Sequence, residues 1–244
     1  MSRVVWRREA PATSPLAARN PAVKLAVLFA LSVGVLFWLD PVRPTFAWAL
    51  LLVGTVAGAR VPTRPLVAAQ VALAGFALGT LLVNIVARPG DPHAVGLAIS
   101  LAARTMVIGT ASVAFIASTD AVSLVSSLHQ NARLPARLAY PLLAGYRMLE
   151  ELPREWELLA AAHAVRDVRS RTRPGVTAVA RRTFALLVIT IRKGERLAHS
   201  LELRGLDRQP RTVWRRVRVS AADWALAAGV TAAYAAVAII AAPH

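Results

Sequence analysis

The chain alternates between long uncharged stretches and short segments rich in proline and arginine. Residues 26–39, 46–59, 66–87 and 226–243 carry no charge, and residues 94–119 carry one, Arg104. A helix that crosses a bilayer needs roughly 20 mostly apolar residues. The third, fourth and fifth stretches reach that length within tolerance. The first two reach it only with flanking residues, 21–25 and 42–45. The pattern therefore predicts about five spans. Asn20 before Pro21 reads as a cap followed by a residue suited to the first helical turn. Asp40-Pro-Val-Arg-Pro, Val61-Pro-Thr-Arg-Pro and Ala87-Arg-Pro-Gly-Asp-Pro are the turns between spans. Ser118-Thr119-Asp120 is a capping cluster for a helix beginning near Ala121, which Leu134-Pro135 interrupts.

The stretch from 120 to 220 has a different texture. A helix is predicted from near Pro153 to about Arg171, ending at Pro174-Gly175, with Trp156, Leu159, His163 and Arg166 on one stripe. A second runs from about Val176 to Leu203, with Leu197, Leu201 and Arg204 repeating that stripe. Its uncharged centre, residues 184–191, is too short to cross a bilayer and fits an interfacial position or packing beneath the spans. Gly205 stands where a left-handed helix cap is wanted, and Arg204 is favoured there by the helix dipole. Pro141 lies in an apolar stretch, 138–146, that is also too short to span.

Composition agrees with a membrane protein: 56% of residues are hydrophobic and 17% charged. The formal charge of +16 raises nucleic acid as a partner, but its placement argues against one. Of 29 Lys and Arg residues, 19 lie between 120 and 220 beside nine acids, and five lie in residues 1–24. No aromatic-rich nucleic-acid motif accompanies them. The bias instead puts the N-terminus, the loop at Arg60 and Arg64, and the large block in the cytoplasm, with His244 outside. Such a basic face meets the anionic lipid membrane and an acidic protein partner. The basic start lacks a cleavage-site pattern, so the first apolar stretch reads as a retained span.

Catalytic chemistry is not evident. There is no phosphate-binding G-x-x-x-x-G-K-[ST] string and no H-E-x-x-H. Absence of cysteine removes disulfides and thiolate metal sites. The five histidines are scattered, and His163 and His199 alone are too few for a metal. Ser118 and Asp120 read as caps, not as a triad. No catalytic, cofactor-binding or metal residue is assigned. Arg104 is the sharper signal, since a charge in hydrocarbon costs about 2.5–3.5 kcal/mol on insertion scales. It requires an interior hydrogen bond, a partner membrane protein or a substrate path, and Asn84 is the obvious polar neighbour type.

These residues together resemble the transmembrane coupling subunit, or T component, of energy-coupling factor (ECF) transporters, which import vitamins or cobalt and nickel. The opening is similar to the family's L-x-x-x-[DN]-P-x-x-K-L, here Leu16 through Asn20, Pro21 and Lys24 to Leu25. An arginine within the fourth span followed by a Ser/Thr turn is also family-like, as in Arg104 and Ser118-Thr119. Two short Ala-Arg-Gly motifs map onto Val165-Arg166-Asp167 and Leu203-Arg204-Gly205. The first keeps only its arginine; the second keeps arginine and glycine.

The resemblance implies an all-α integral membrane protein of about five transmembrane helices plus long cytoplasmic coupling helices. Its parts would be a cytoplasmic segment 1–20, a four-helix membrane domain 21–118, a coupling-helix domain 119–220 and a last span 221–244. It further implies a multi-pass subunit of the cell membrane that docks two ABC-type ATPase subunits through Arg166 and Arg204. It would hold one small membrane S component, while ATP is bound by the partner ATPases and no cofactor by this chain. Two alternatives stand beside it. One is a permease with Arg104 and Asn84 along its path; the other is a membrane-bound enzyme using Asp167, Glu202 or His163.

Overall fold

The computed structural model describes residues 14–59, 63–89, 92–166, 175–206 and 216–240. Eight helices and no strand occur among these residues. They are α1 (Pro21–Leu36), α2 (Val42–Ala59), α3 (Thr63–Ala87), α4 (Ala94–Ser118), α5 (Ala121–Asn131), α6 (Ala136–Arg166), α7 (Val176–Leu203) and α8 (Ala221–Ile240). This is the predicted all-α membrane architecture.

The predicted helix starts hold where a side chain can cap. Asn20 accepts a hydrogen bond from the Ala22 N–H at 3.0 Å, with Pro21 in the first turn. Asp120 accepts from the Ser123 N–H at 3.1 Å and so starts α5. In the first predicted turn Asp40 accepts from the Arg43 N–H at 2.9 Å, which draws Val42 and Pro44 into the opening turn of α2. α5 ends through Arg133, at a left-handed φ of 56°. The Leu134 N–H then returns to the Leu128 carbonyl at 3.2 Å, which gives the break expected before Pro135.

One expectation fails. A helix does not begin at Pro153; α6 runs unbroken from Ala136 through Pro141 and Pro153. A proline inside a helix forfeits one backbone hydrogen bond and crowds the preceding turn. Helix growth after nucleation adds a bond per residue, and runs such as Glu150-Glu151-Leu152 and Trp156 to Ala162 favour it. The cost is thus confined to two turns of a 31-residue element. The expected extension to Arg171 and the stop at Pro174 fall outside the described residues.

The chain divides into two units, one of residues 128–216 and one containing residues 14–127 and 217–240. In the second, α4 is central and packs on α1, α2 and α3, while α8 packs on α1 and α2. α3, α4 and α8 are long and apolar enough to cross a membrane; α1 and α2 are shorter apolar helices. At 1.5 Å per residue, α1 and α2 extend about 24 and 27 Å, near the hydrocarbon thickness of a bilayer. Their outer faces are apolar, with Phe29, Phe46, Phe76 and Ile239 each more than 60% exposed, as lipid contact demands. Inside, Val35, Trp38, Ala47 and Val107 form a small core, and Trp38 stacks on Tyr234 at 4.1 Å. In the other unit α6 packs on α7.

Candidate functional site

α6 and α7 are amphipathic, and each hides a stripe against neighbours. Trp156, Leu159 and His163 are half-buried on α6, and Leu197 and Leu201 are half-buried on α7. The two helices are fastened by one cation: Lys193 on α7 bonds Glu155 of α6, and Glu151 lies 3.8 Å away. Glu155 stands eleven residues before Arg166, and Lys193 eleven residues before Arg204. Each arginine is therefore about three turns, or about 16 Å, beyond the fastening point on its own helix.

The two helix ends carry the sequence-predicted residues. Val165 is 78% exposed and Leu203 is 90% exposed, so neither serves a core. Arg204 is exposed at the C-cap of α7. Gly205 has φ 71°, its N–H bonds the Glu202 carbonyl at 2.9 Å, and the Leu206 N–H bonds Leu201 at 3.1 Å. This paired closure is the left-handed cap anticipated at Gly205. It stops α7 beside Arg204. Arg166 is the last described helical residue of α6, and Asp167 lies outside the described residues.

The N-terminal motif of the membrane unit builds a buried polar node. Lys24, 6% exposed, donates from Nζ to the Ser118 carbonyl at 2.7 Å and to its hydroxyl at 3.4 Å. The Asn20 N–H donates to Asp223 Oδ1 at 2.9 Å, and Ser127 Oγ donates to Asn20 Oδ1 at 2.6 Å. Asp223 also accepts from the Ser220 N–H at 2.7 Å and its hydroxyl at 2.9 Å. Ser118 and Ser127 are 2% and 0% exposed, and Asp223 is 2% exposed. Ser127 and Asp223 escaped the sequence reading. A signal for Asp223 existed: Ser220-x-x-Asp223 before an apolar run is the spacing of a capping box. Nothing local marks Ser127.

Arg104 is half-buried on α4 and donates to the Trp38 carbonyl at the end of α1, where Ser100 also donates at 3.3 Å. Asn84 is engaged elsewhere, donating to the Thr80 carbonyl of its own helix at 2.8 Å. The structure does not bring the two together. A second polar contact was missed: Gln70 of α3 bonds Thr110 of α4 at 3.0 Å and accepts from Trp48 of α2 at 3.4 Å. Such bonds join apolar helices that have no hydrophobic drive to separate from lipid.

Two of the histidines make contacts close to themselves in the chain. His129 Nδ1 lies 2.6 Å from the Leu134 carbonyl, closing the turn after α5. His199 lies 3.7 Å from Glu202 of its own helix. Among the described residues no three His, Asp or Glu side chains gather as metal ligands. An apolar cleft of about 610 Å³ lies between α1, α2, α4 and α8; small residues such as Gly54, Gly58, Ala114, Gly229 and Ala233 line it.

The family model CbiQ, described as cobalt transport protein, matches residues 12–214. The match takes in α1 to α7 and ends before α8. No curated protein matches the chain.

Proposed function

The chain belongs to the CbiQ cobalt transport protein family, the T components of ECF transporters, and from that premise we propose that it couples two ATPases to an S component through α6 and α7. It is a membrane component of a transporter. In this reading Arg166 and Arg204 each enter a groove on one ATPase and pair with carboxylates there. A planar guanidinium suits that task because it makes bidentate, charge-assisted bonds. In this reading the S component binds the substrate and the ATPases bind ATP, in keeping with the lack of a phosphate-binding loop in this sequence. It lies in the cell membrane with the N-terminus and the α6–α7 unit in the cytoplasm. Divalent cobalt is the cargo class that the family name favours over a vitamin.

The observation that carries the reading is the fastening of α6 to α7 at Lys193 and Glu155, with an arginine the same distance beyond it on each helix. Two similar ATPases need two similar docking ends, and a fixed crossing converts a change in their separation into movement of both helices. The cleft supports the membrane partner: glycine and alanine walls allow close approach of another helix. Separate backbone bonds made by Arg104 and Asn84 give no support to a path lined by both.

The test is copurification of the ATPases and uptake with the S component present. Losing one partner of a desolvated charged pair costs on the order of 2–5 kcal/mol. Arg166→Ala and Arg204→Ala should each weaken assembly and slow uptake, and the double change should abolish both. Arg204→Ala should be the worse, because Asp167 stands beside Arg166 in sequence and partly neutralises it. Lysine at either position should rescue incompletely, lacking the fork. Normal assembly and uptake in the double variant at equal expression would refute the assignment.

A further inference from the structure

The α6–α7 unit is an insertion: the chain leaves the membrane unit after Ser127 and returns at Val217. Both crossings are bonded to one residue. Ser127 Oγ, at the exit, donates to Asn20 Oδ1 at 2.6 Å and receives the Ala22 N–H at 3.3 Å. The Arg218 carbonyl, one residue after the return, receives Asn20 Nδ2 at 3.4 Å. The Asn20 N–H meanwhile holds Asp223, which caps α8 through Ser220. Asn20 is 4% exposed and Ser127 is 0% exposed, so water does not substitute for a lost bond.

We propose that Asn20 is a positioning residue of the transport cycle, clamping both chain crossings to the starts of α1 and α8. In this chain the amide head group accepts from the Ser127 hydroxyl and donates to the Arg218 carbonyl at once. The aspartate that the family motif also admits at this position would keep the acceptor and lose the donor to Arg218. The chain runs directly from α6 and α7 into the membrane unit at these two crossings, so displacement of the two helices reaches it there. Asn20 passes it to α1 and, through Asp223, to α8; Lys24, one turn along α1, passes it to the end of α4 at Ser118. With the clamp cut, the crossings shift without moving these helices. This inference rests on the coupling role proposed above.

The experiment uses the full complex carrying Asn20→Ala, Ser127→Ala or both, and measures ATPase copurification, ATP hydrolysis and uptake. Copurification and hydrolysis should stay at the wild-type level. Uptake per ATP hydrolysed should fall about tenfold for Asn20→Ala and less for Ser127→Ala, the scale of a lost buried hydrogen bond. The double change should be no worse than Asn20→Ala alone, since both cut one linkage. A merely structural role lowers folded yield, hydrolysis and uptake together and leaves their ratio unchanged. That unchanged ratio overturns the proposal, in Ser127→Ala alone if Asn20→Ala does not accumulate. A wild-type chain that fails to copurify with any ATPase instead overturns the coupling reading, and the clamp with it.

Discussion

A single glycine offers a clean probe of the membrane partner. Gly54 of α2 and Gly229 of α8 line the apolar cleft, and a Cβ built on either meets nothing within 4 Å. Gly109 is the contrast, since a Cβ there would collide with Leu73. A side chain added at Gly54 or Gly229 therefore starts into the open cleft and not into this chain's own packing. Gly54→Trp and Gly229→Trp should keep folded yield and ATPase copurification but lose most S-component copurification. Gly109→Val should lower folded yield instead, as overpacking typically costs about 1–3 kcal/mol. If the S component still copurifies fully with both tryptophan variants, the cleft is not its seat. Arg104 shows what a residue discloses before folding. Its charge in an apolar run left an interior hydrogen bond, a partner membrane protein or a substrate path open, and the structure gives it an interior acceptor. The identity of that acceptor, a backbone carbonyl at Trp38, has no sequence signature.

Among the elements, α6 and α7 depend on their register. Lys193 and Glu155 are 31% and 24% exposed in their side chains, so their attraction is only partly screened. Such a pair contributes about 1 kcal/mol or less to stability, but it selects which turns of the helices meet. Glu155→Lys or Lys193→Glu should slow uptake several-fold while the arginine ends still bind the ATPases. The exchanged pair, Glu155→Lys with Lys193→Glu, should restore part of that loss. Rescue is incomplete because Glu151, 3.8 Å from Lys193, would then face a like charge. Uptake assays on the three variants decide this, and equal rates in all three would show that the pair sets no register. The caps of these elements were legible: Asn20, Asp120 and Gly205 act through bonds to residues two to three positions away. The continuous α6 was not, because two prolines argue locally for breaks that the whole helix outweighs.

The whole molecule carries its charge asymmetrically, and that asymmetry fixes a testable orientation. With 19 Lys and Arg between 120 and 220, this block should stay in the cytoplasm and the C-terminus should face outside. The chain has no cysteine, so single cysteines report without background. A cysteine at Ser170 should label with an impermeant maleimide only in inverted vesicles, and one at Ala242 only in intact cells. Labelling of position 170 from outside would reverse the topology and remove the ATPase docking role.

The apolar runs, the charge bias and the capping residues determined the all-α membrane class, most helix starts and the cap of α7 at Gly205. These are properties of a short window: hydrocarbon accepts only apolar helices, and a cap binds the turn that follows it. Only the tertiary structure decided that Asn20 meets Ser127 and Asp223, that Lys24 ends on Ser118, and that Lys193 meets Glu155. These partners lie 107, 203, 94 and 38 residues apart. A polar residue in sequence states only that it needs a hydrogen bond when buried. Which distant group supplies it depends on how the helices pack, and no local pattern encodes that.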